Sequence, residues 1–240
     1  MKAVLKIQQK PQELIKFQET VLSTYNFKRV QALCRIAMNE RLMCLITGET
    51  GFGKTTALNY FKLDNKKVIM VTVHASSGSS RSFWASVISS IPDLIKHERV
   101  DPLEWNVHML LRKLSRFLND NPESLLIIDQ ANKFSYRGLE YLHELRDLTI
   151  ETTGIVLSAP AYFKENLNKW CRKDKPGVPE LVRRIQHFEE LHPPSTVEVK
   201  AFCNHYGVEE QYWKELVGQK NFGNLTNKIR EVLRNQNKLQ

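Results

Sequence analysis

The sequence has few cysteines and no long hydrophobic run. Its four cysteines lie far apart and form no C-x-x-C pair, and its seven histidines form no H-x-x-x-H pair. Neither a zinc site nor a disulfide framework is therefore expected, and this cysteine usage fits a reducing compartment. No stretch approaches the roughly 20 apolar residues of a membrane span, and the N-terminal residues contain no signal-peptide core. These absences predict a soluble, cytoplasmic protein with no membrane partner.

The sequence also lacks any run of five like charges and any low-complexity tract. Its 42% of hydrophobic and 25% of charged residues are typical of a globular chain. The 240 residues suffice for one good-sized domain, with or without a small satellite, but not for two large domains. Because 35 Lys and Arg outnumber 26 Asp and Glu, the net charge is +9. This excess favours a polyanionic partner, although solubility alone would also account for it.

Hydrophobic periodicity predicts helices that alternate with buried strands. Apolar residues at helical spacing predict helices at 11–22 and 27–38. Short apolar runs are typical of strands buried on both faces of a parallel sheet, and they lie at 42–46, 67–73, 124–129 and 154–158. Strands that alternate with helices in this way indicate an α/β fold.

After Leu191 the pattern is helical only. Prolines 193 and 194 interrupt the chain, and three helical stretches follow at about 195–204, 208–218 and 224–236. The sequence therefore predicts a helical leader over 1–24, an α/β core over 25–191 and a small helical subdomain over 192–240.

One segment matches a phosphate-binding pattern at every fixed position. Residues 48–55 read G-x-x-x-x-G-K-T, between the first predicted strand and a predicted helix at 55–61. Glycines let backbone N–H groups face phosphates, the helix presents its N-terminus to negative charge, Lys54 reaches the β- and γ-phosphates, and Thr55 holds Mg²⁺. We therefore predict an ATP and Mg²⁺ site. Its predicted binding residues are Gly48, Glu49, Thr50, Gly51, Phe52, Gly53, Lys54, Thr55 and Thr56.

The predicted strand 124–129 ends in Asp129, an acid that would meet Mg²⁺ through water. This order of motifs resembles P-loop ATPases with an extra strand between the phosphate loop and the acidic strand, whose sheet order is 5-1-4-3-2. In those proteins the acidic strand usually ends Asp-Glu, whereas Gln130 occupies the Glu position here. An amide is a far weaker base than a carboxylate, so the resemblance implies intact binding and slowed hydrolysis. A naturally slow enzyme and a Glu→Gln substitution that traps ATP both remain open.

The later segments resemble AAA+ ATPases, and more closely the DNA-transposition group that includes the phage Mu B protein, TniB and TnsC. The resemblance covers about residues 25–235 and rests, beyond the phosphate loop, on residues 129–134, 136–148, 154–160, 181–185 and 223–226. It implies a three-layer αβα P-loop core with a parallel sheet of order 5-1-4-3-2, and a small all-α lid. It also implies a Mg²⁺-dependent ATPase.

The resemblance assigns further site residues by position. Ser158 falls at the family's sensor-1 position, at the end of the fourth strand. Arg184 matches the arginine finger that is supplied to a neighbouring subunit, with Arg183 as the fallback, although a solvated helix face would also explain the pair. Thr226 stands where the family usually has its sensor-2 arginine. Lys228 and Arg230, further along that helix, are either substitutes for it or surface charges.

The resemblance also implies partners: duplex DNA, a transposase, and further copies of the chain in a ring or helical filament. Such binding would use the DNA backbone more than base sequence. The candidate DNA contacts are Arg81, Arg112, Lys113 and Arg116, each of which also fits an ordinary solvated charge. Residues 1–47 contain 8 basic and 3 acidic residues, and residues 48–120 contain 10 and 7, so we expect this half to face DNA.

The sequence is compatible with three functions. The first is an ATPase that oligomerises on duplex DNA and recruits or activates a transposase there. The second is another AAA+ enzyme, such as a replication initiator, a helicase loader or a secretion-linked ATPase. The third is a hydrolysis-impaired, nucleotide-gated DNA-binding scaffold, which Gln130 would explain.

Overall fold

The computed structural model describes residues 21–77, 81–96 and 101–239. The predicted helix 11–22 and the predicted leader 1–24 therefore lie outside the described residues, apart from their last few positions. None of the helices in the described ranges is long and apolar enough to cross a membrane.

A five-stranded parallel sheet forms the centre of the fold. Its strands are β1 (Met43–Thr47), β2 (Val68–Thr72), β3 (Ser124–Asp129), β4 (Thr153–Ala159) and β5 (Ile185–Glu190). They are ordered β2-β3-β4-β1-β5, which is the predicted order 5-1-4-3-2 seen from the opposite edge. The four strands predicted from apolar runs are all present, and β5 adds the edge next to β1.

Helices cover both faces of the sheet, and three more helices come after its last strand in the sequence. They are α1 (Tyr25–Asn39), α2 (Lys54–Asp64), α3 (Arg81–Ser89), α4 (Pro92–Ile95), α5 (Val107–Asp120), α6 (Tyr136–Leu148), α7 (Tyr162–Arg172), α8 (Val178–Arg184), α9 (Thr196–Tyr206), α10 (Trp213–Leu216) and α11 (Phe222–Leu239). Short 3-10 turns lie at Pro102–Glu104, Ala131–Lys133 and Glu210–Tyr212. Several helices begin at side-chain caps: Asn106 caps α5, Ser135 caps α6, and Ser195 forms a capping box with Glu198 at α9.

The alternation of side chains along the strands separates two hydrophobic cores. On β3, Leu126 and Ile128 pack with helices α3 and α5 to α8, whereas Leu125 and Ile127 pack with α1 and α2. All four side chains are fully buried. Successive residues of a strand point to opposite faces, so a sheet covered on both sides needs apolar residues at every position. This arrangement is the predicted three-layer αβα core.

Gly154 on β4 allows α1 to lie directly on the sheet. A Cβ added there would come 2.1 Å from the carbonyl oxygen of Ala37 and 2.6 Å from its carbonyl carbon. Because overpacking typically costs about 1–3 kcal/mol, we expect Gly154→Ala to lower the free energy of unfolding by about 3 kcal/mol. Chemical denaturation of both proteins measures this difference.

Gly207, at the end of α9, offers the matched control. It has a φ of +70° but no atom within 4 Å of an added Cβ. Gly207→Ala therefore introduces left-handed strain without a clash, and we expect a loss of about 1 kcal/mol. Equal losses for the two variants would contradict the close packing of α1 on β4.

The helices that follow the sheet form a cluster of their own. Val199, Phe202, Leu216, Leu225 and Ile229 are among its buried members. The middle helical stretch is shorter than the predicted 208–218, since only a 3-10 turn and the four-residue α10 form there. Gly218, with a φ of +86°, follows α10 in a conformation that does not continue a helix.

Candidate nucleotide-binding site

The phosphate-loop pattern forms the turn between β1 and α2. Gly51 and Gly53 both have a φ of +85°, a conformation that favours glycine. Gly53 is the N-cap of α2 and supplies no side chain, so the first N–H groups of the helix are left to other partners. A Cβ on Gly51 would come within 2.8 Å of Asn221, just before α11. The N–H of Phe222 donates to the carbonyl of Gly51 at 3.0 Å, so the C-terminal helices contact the loop directly.

Lys54, the first residue of α2, curls back over the loop. Its Nζ donates to the carbonyl oxygens of Gly48 at 2.5 Å and Glu49 at 3.0 Å. Burial lowers the pKa of Lys54, and the nearby carboxylates of Asp129 and Glu49 oppose that shift. The ammonium group of Lys54 is partly buried beside the carbonyls of the phosphate loop. It is therefore suited to donate hydrogen bonds to phosphate oxygens in place of these carbonyls when a nucleotide binds.

Thr55 and Asp129 bring the two motifs together across 74 residues of sequence. Thr55 Oγ1 donates to Asp129 Oδ2 at 2.7 Å, and the backbone N–H of Gln130 donates to Asp129 Oδ1 at 2.9 Å. Asp129 is only 2% exposed at the end of β3. A hydroxyl and a carboxylate in contact are oxygen donors of the kind that Mg²⁺ prefers, so the pair fits a magnesium ion.

A cavity of about 350 Å³ lies beside this pair and is lined by Lys54, Thr55, Asp129 and Gln130, among others. Gln130 has a φ of +57° and a ψ of +39°, which is uncommon for a residue other than glycine. Backbone in this region is often found at functional sites, where it aims a side chain. Gln130 therefore contributes to the wall of the cavity from a left-handed backbone conformation.

Ser158 lies next to the cavity but does not line it. It is fully buried on β4, opposite Ile46 of β1, and the cavity wall on this strand is formed by Ala159 and Pro160. The last paired residues of β3 and β4 are Ile128 and Leu157, and Asp129 and Ser158 each come one residue after this pair. The Oγ of Ser158 is buried and has no hydrogen-bond partner in the part of the chain that the structure describes.

Arg183 and Arg184 are the last two residues of α8 and have different surroundings. Arg184 Nε donates to Asp147 Oδ1 on α6 at 2.8 Å, and this hydrogen bond lowers the pKa of Asp147. His143 Nε2 also lies 3.4 Å from Asp147. Arg183 is exposed, and its side chain has no hydrogen bond or ion pair within the described ranges. Neither arginine lines the phosphate cavity of its own chain.

Three of the four candidate DNA contacts share one surface groove of about 560 Å³. Arg112, Lys113 and Arg116 lie along α5 on its rim, and Lys113 Nζ is 4.6 Å from the centre of the Trp105 ring. Arg81 is exposed at the start of α3 and does not line this groove.

A second cavity adjoins the phosphate loop and was missed by sequence reasoning. It measures about 330 Å³ and shares Gly51, Gly53 and Thr56 with the phosphate cavity. Phe27, Phe202, Tyr206, Phe222 and Thr226 supply other parts of its wall. A mostly apolar pocket continuous with a phosphate site is suited to a nucleobase.

The sensor-2 candidates lie at or near this second cavity. Thr226 lines it and donates its hydroxyl to the carbonyl of Phe222 at 2.9 Å. Lys228 pairs with Glu231 at 3.0 Å, and Arg230 donates to Asn227. Both basic side chains thus have partners on the surface of α11.

A phosphate loop after β1, an acid at the end of β3 and this strand order define a P-loop NTPase of the AAA+ class. Residues 37–167, more than half of the chain, match the family model described as AAA domain. The chain therefore belongs to the AAA domain family.

Two relatives are similar to most of this chain. The ATP-dependent target DNA activator B proteins of Escherichia phage D108 and Escherichia phage Mu are each 26% identical over 199 residues, which cover 82% of this chain. The chain spans 60% of the length of these relatives. The predicted resemblance to the transposition group is confirmed. Domain III of the Thermotoga maritima replication initiation protein DnaA has the same fold, with a TM-score of 0.52 and 17% identity over 92% of this chain and 88% of that one.

Proposed function

We propose that this protein is an ATPase that assembles on duplex DNA and regulates transposition by recruiting or activating a transposase. The observation that carries the proposal is a phosphate cavity with a paired Thr55 and Asp129, in a chain that resembles two phage target DNA activators over 82% of its length. Those relatives are described as ATP-dependent, which fits the cavity.

Within this function, the loop residues 48–56 hold the phosphates of ATP. Lys54 exchanges the carbonyls of Gly48 and Glu49 for β- and γ-phosphate oxygens, while Thr55 and Asp129 hold Mg²⁺. The second, mostly apolar cavity beside the phosphate loop holds the nucleobase of ATP. The sensor-1 role falls to Ser158, whose buried hydroxyl has no hydrogen-bond partner among the described residues.

Assembly of several copies of the chain is expected to complete the nucleotide-binding site of each copy. We assign the arginine finger to Arg184, with Arg183 as the alternative, because both end α8 outside the phosphate cavity of their own chain. Arg184 must release Asp147 before it reaches a neighbour's γ-phosphate, whereas Arg183 has no such partner among the described residues. An arginine donated between subunits would make hydrolysis depend on the ring or filament.

The DNA contact is assigned to the basic half of the chain, with Arg81 and the α5 residues Arg112, Lys113 and Arg116 as contacts. We expect duplex of random sequence to bind at least about tenfold more tightly with Mg²⁺-ATP than without nucleotide, because assembly multiplies the phosphate contacts. Fluorescence anisotropy at several salt concentrations measures both affinity and salt dependence. Equal affinity with and without ATP would contradict the proposal.

Charge reversal on α5 tests whether this surface of the protein contacts DNA. Arg112→Glu with Arg116→Glu is expected to weaken DNA binding at least about tenfold and to reduce its salt dependence. Lys169→Glu with Arg172→Glu changes the net charge equally on the exposed face of α7, and serves as the control. A similar loss in both double variants would show that net charge matters and that the α5 surface does not.

Gln130 supports a second candidate, the nucleotide-gated scaffold. A cavity wall that carries an amide in place of a carboxylate binds ATP but lacks a strong base. Such a chain would stay assembled on DNA after binding ATP. Turnover measurements on Gln130→Glu separate the scaffold from the active ATPase.

A further inference from the structure

A buried amide on α1 joins three segments of the chain. Asn26, the second residue of α1, is only 3% exposed. Its Nδ2 donates to the carbonyl oxygen of Phe52 at 3.1 Å and to that of His192 at 2.7 Å. Its Oδ1 accepts a hydrogen bond from the backbone N–H of His192 at 3.2 Å. Both ends of this side chain are therefore committed to backbone groups that lie 26 and 166 residues away.

The contact with Phe52 fixes the backbone of the phosphate loop. A peptide unit is planar and trans, so the carbonyl of Phe52 and the N–H of Gly53 point in opposite directions. Because the carbonyl is held against α1, the N–H of Gly53 points away from α1. Gly53 lines the phosphate cavity, and its N–H has no hydrogen-bond partner among the described residues. Asn26 thus sets the direction of a backbone donor of the kind that binds phosphate.

The contact with His192 reaches the link between the sheet and the C-terminal helices. His192 lies between Glu190, the end of β5, and Ser195, the N-cap of α9. Leu191 donates its N–H to the carbonyl of Thr47 at 2.8 Å, so the link also contacts the end of β1. Neither Leu191 nor His192 lines the phosphate cavity or the apolar cavity. A single side chain therefore connects the phosphate loop to a segment that the nucleotide itself would not touch.

We propose that Asn26 is a positioning residue for ATP, which orients the phosphate loop and couples nucleotide binding to the link at His192. The proposal rests on the ATP site proposed above. Asn26 lines neither cavity, so it acts through Phe52 and His192 and not by contact with ATP. Coupling between two sites is reciprocal, so ATP affects the link and the position of the link affects ATP affinity.

Asn26→Leu tests the first part of this role. Leucine has the same branched shape as asparagine but no polar group, and every residue that lines the phosphate cavity is retained. We expect ATP affinity to fall about tenfold, because the Gly53 donor loses its fixed direction. Titration with a fluorescent ATP analogue measures this change.

Hydrogen exchange measured by mass spectrometry tests the coupling. In the wild type, ATP should slow exchange at least about threefold in fragments that contain Leu191 and His192. This protection by ATP should be lost in Asn26→Leu. A side chain that only stabilises the fold would change exchange equally with and without ATP.

Gln31→Met is the matched control. Gln31 is also buried on α1, and its Nε2 donates to the carbonyl of Ala57 on α2 at 2.6 Å. The variant removes a buried hydrogen bond from an amide to a carbonyl but leaves Phe52 and His192 in place. We expect both variants to lower the midpoint of thermal unfolding, and only Asn26→Leu to lower ATP affinity. An equal loss of ATP affinity in the two variants would overturn the proposal.

The outcomes separate this proposal from the proposed function. A wild-type chain that binds no ATP contradicts the ATP site and the role of Asn26 with it. A wild-type chain that binds ATP, with unchanged affinity in Asn26→Leu, contradicts the role of Asn26 alone. If Asn26→Leu does not fold, Asn26→Ser replaces it, since a serine hydroxyl is too short to reach both partners and unchanged ATP affinity there has the same meaning. Wild-type exchange at Leu191 and His192 that does not respond to ATP contradicts the coupling without the use of any variant.

Discussion

Replacing Lys54 with alanine is expected to lower the affinity for ATP about a hundredfold and to abolish turnover. Lys54 is the only cation among the described residues that line the phosphate cavity. A hydrogen bond between charged groups contributes about 1.5–3 kcal/mol, and the upper part of this range corresponds to a factor of about one hundred. Titration with a fluorescent ATP analogue measures the affinity directly.

The control lies on the same helix. Lys62 is exposed on α2, so Lys62→Ala removes an identical charge without touching the cavity, and its ATP affinity should match the wild type. The fold should tolerate Lys54→Ala, because burial already disfavours the charged form of this side chain and lowers its pKa. Unaltered ATP affinity in Lys54→Ala would mean that the ammonium stays on the carbonyls of Gly48 and Glu49 when nucleotide binds.

The parts of this site that the sequence predicted are those built from consecutive residues. The phosphate loop is one continuous segment, and Asp129 ends an apolar run that is typical of a buried strand. Strands β1 to β4 were predictable for the same reason, since both of their faces are covered. Strand β5 has no such run because most of its side chains are exposed, and Ile185 is its only buried residue. Its presence followed from the family resemblance and not from periodicity.

Other features depend on packing between distant segments. The apolar cavity joins Phe27 of α1 with Phe202 of α9 and Phe222 of α11, which no local pattern brings together. The surroundings of Arg184 also depend on distant packing, because its hydrogen bond to Asp147, 37 residues away, requires α6 and α8 to lie side by side. Asn132 stands close to Asp129 in sequence, but only the structure shows that it lines the phosphate cavity and donates to Oη of Tyr162, 30 residues away.

Replacing Gln130 with glutamate is expected to raise ATP turnover about a hundredfold with little change in ATP affinity. A positioned general base typically accelerates a reaction about 10²–10⁴-fold, and glutamate differs from glutamine by one terminal atom. Gln130 already lines the phosphate cavity, and its backbone N–H is fixed by Asp129 at 2.9 Å. The carboxylate would therefore replace the amide on the wall of the same cavity. Release of inorganic phosphate under saturating ATP measures the rate.

Gln211→Glu provides the matched control, since it makes the same chemical change at an exposed turn outside the cavity and should leave the rate unaltered. Turnover should be followed with and without duplex DNA and over a range of protein concentrations. A rate in Gln130→Glu that rises with assembly indicates that the carboxylate was the missing group and that a neighbouring subunit supplies the rest. Equal slow rates in Gln130→Glu and the wild type under every condition would contradict a missing base as the cause. The limiting step would then lie in the release of Arg184 from Asp147 or in assembly itself.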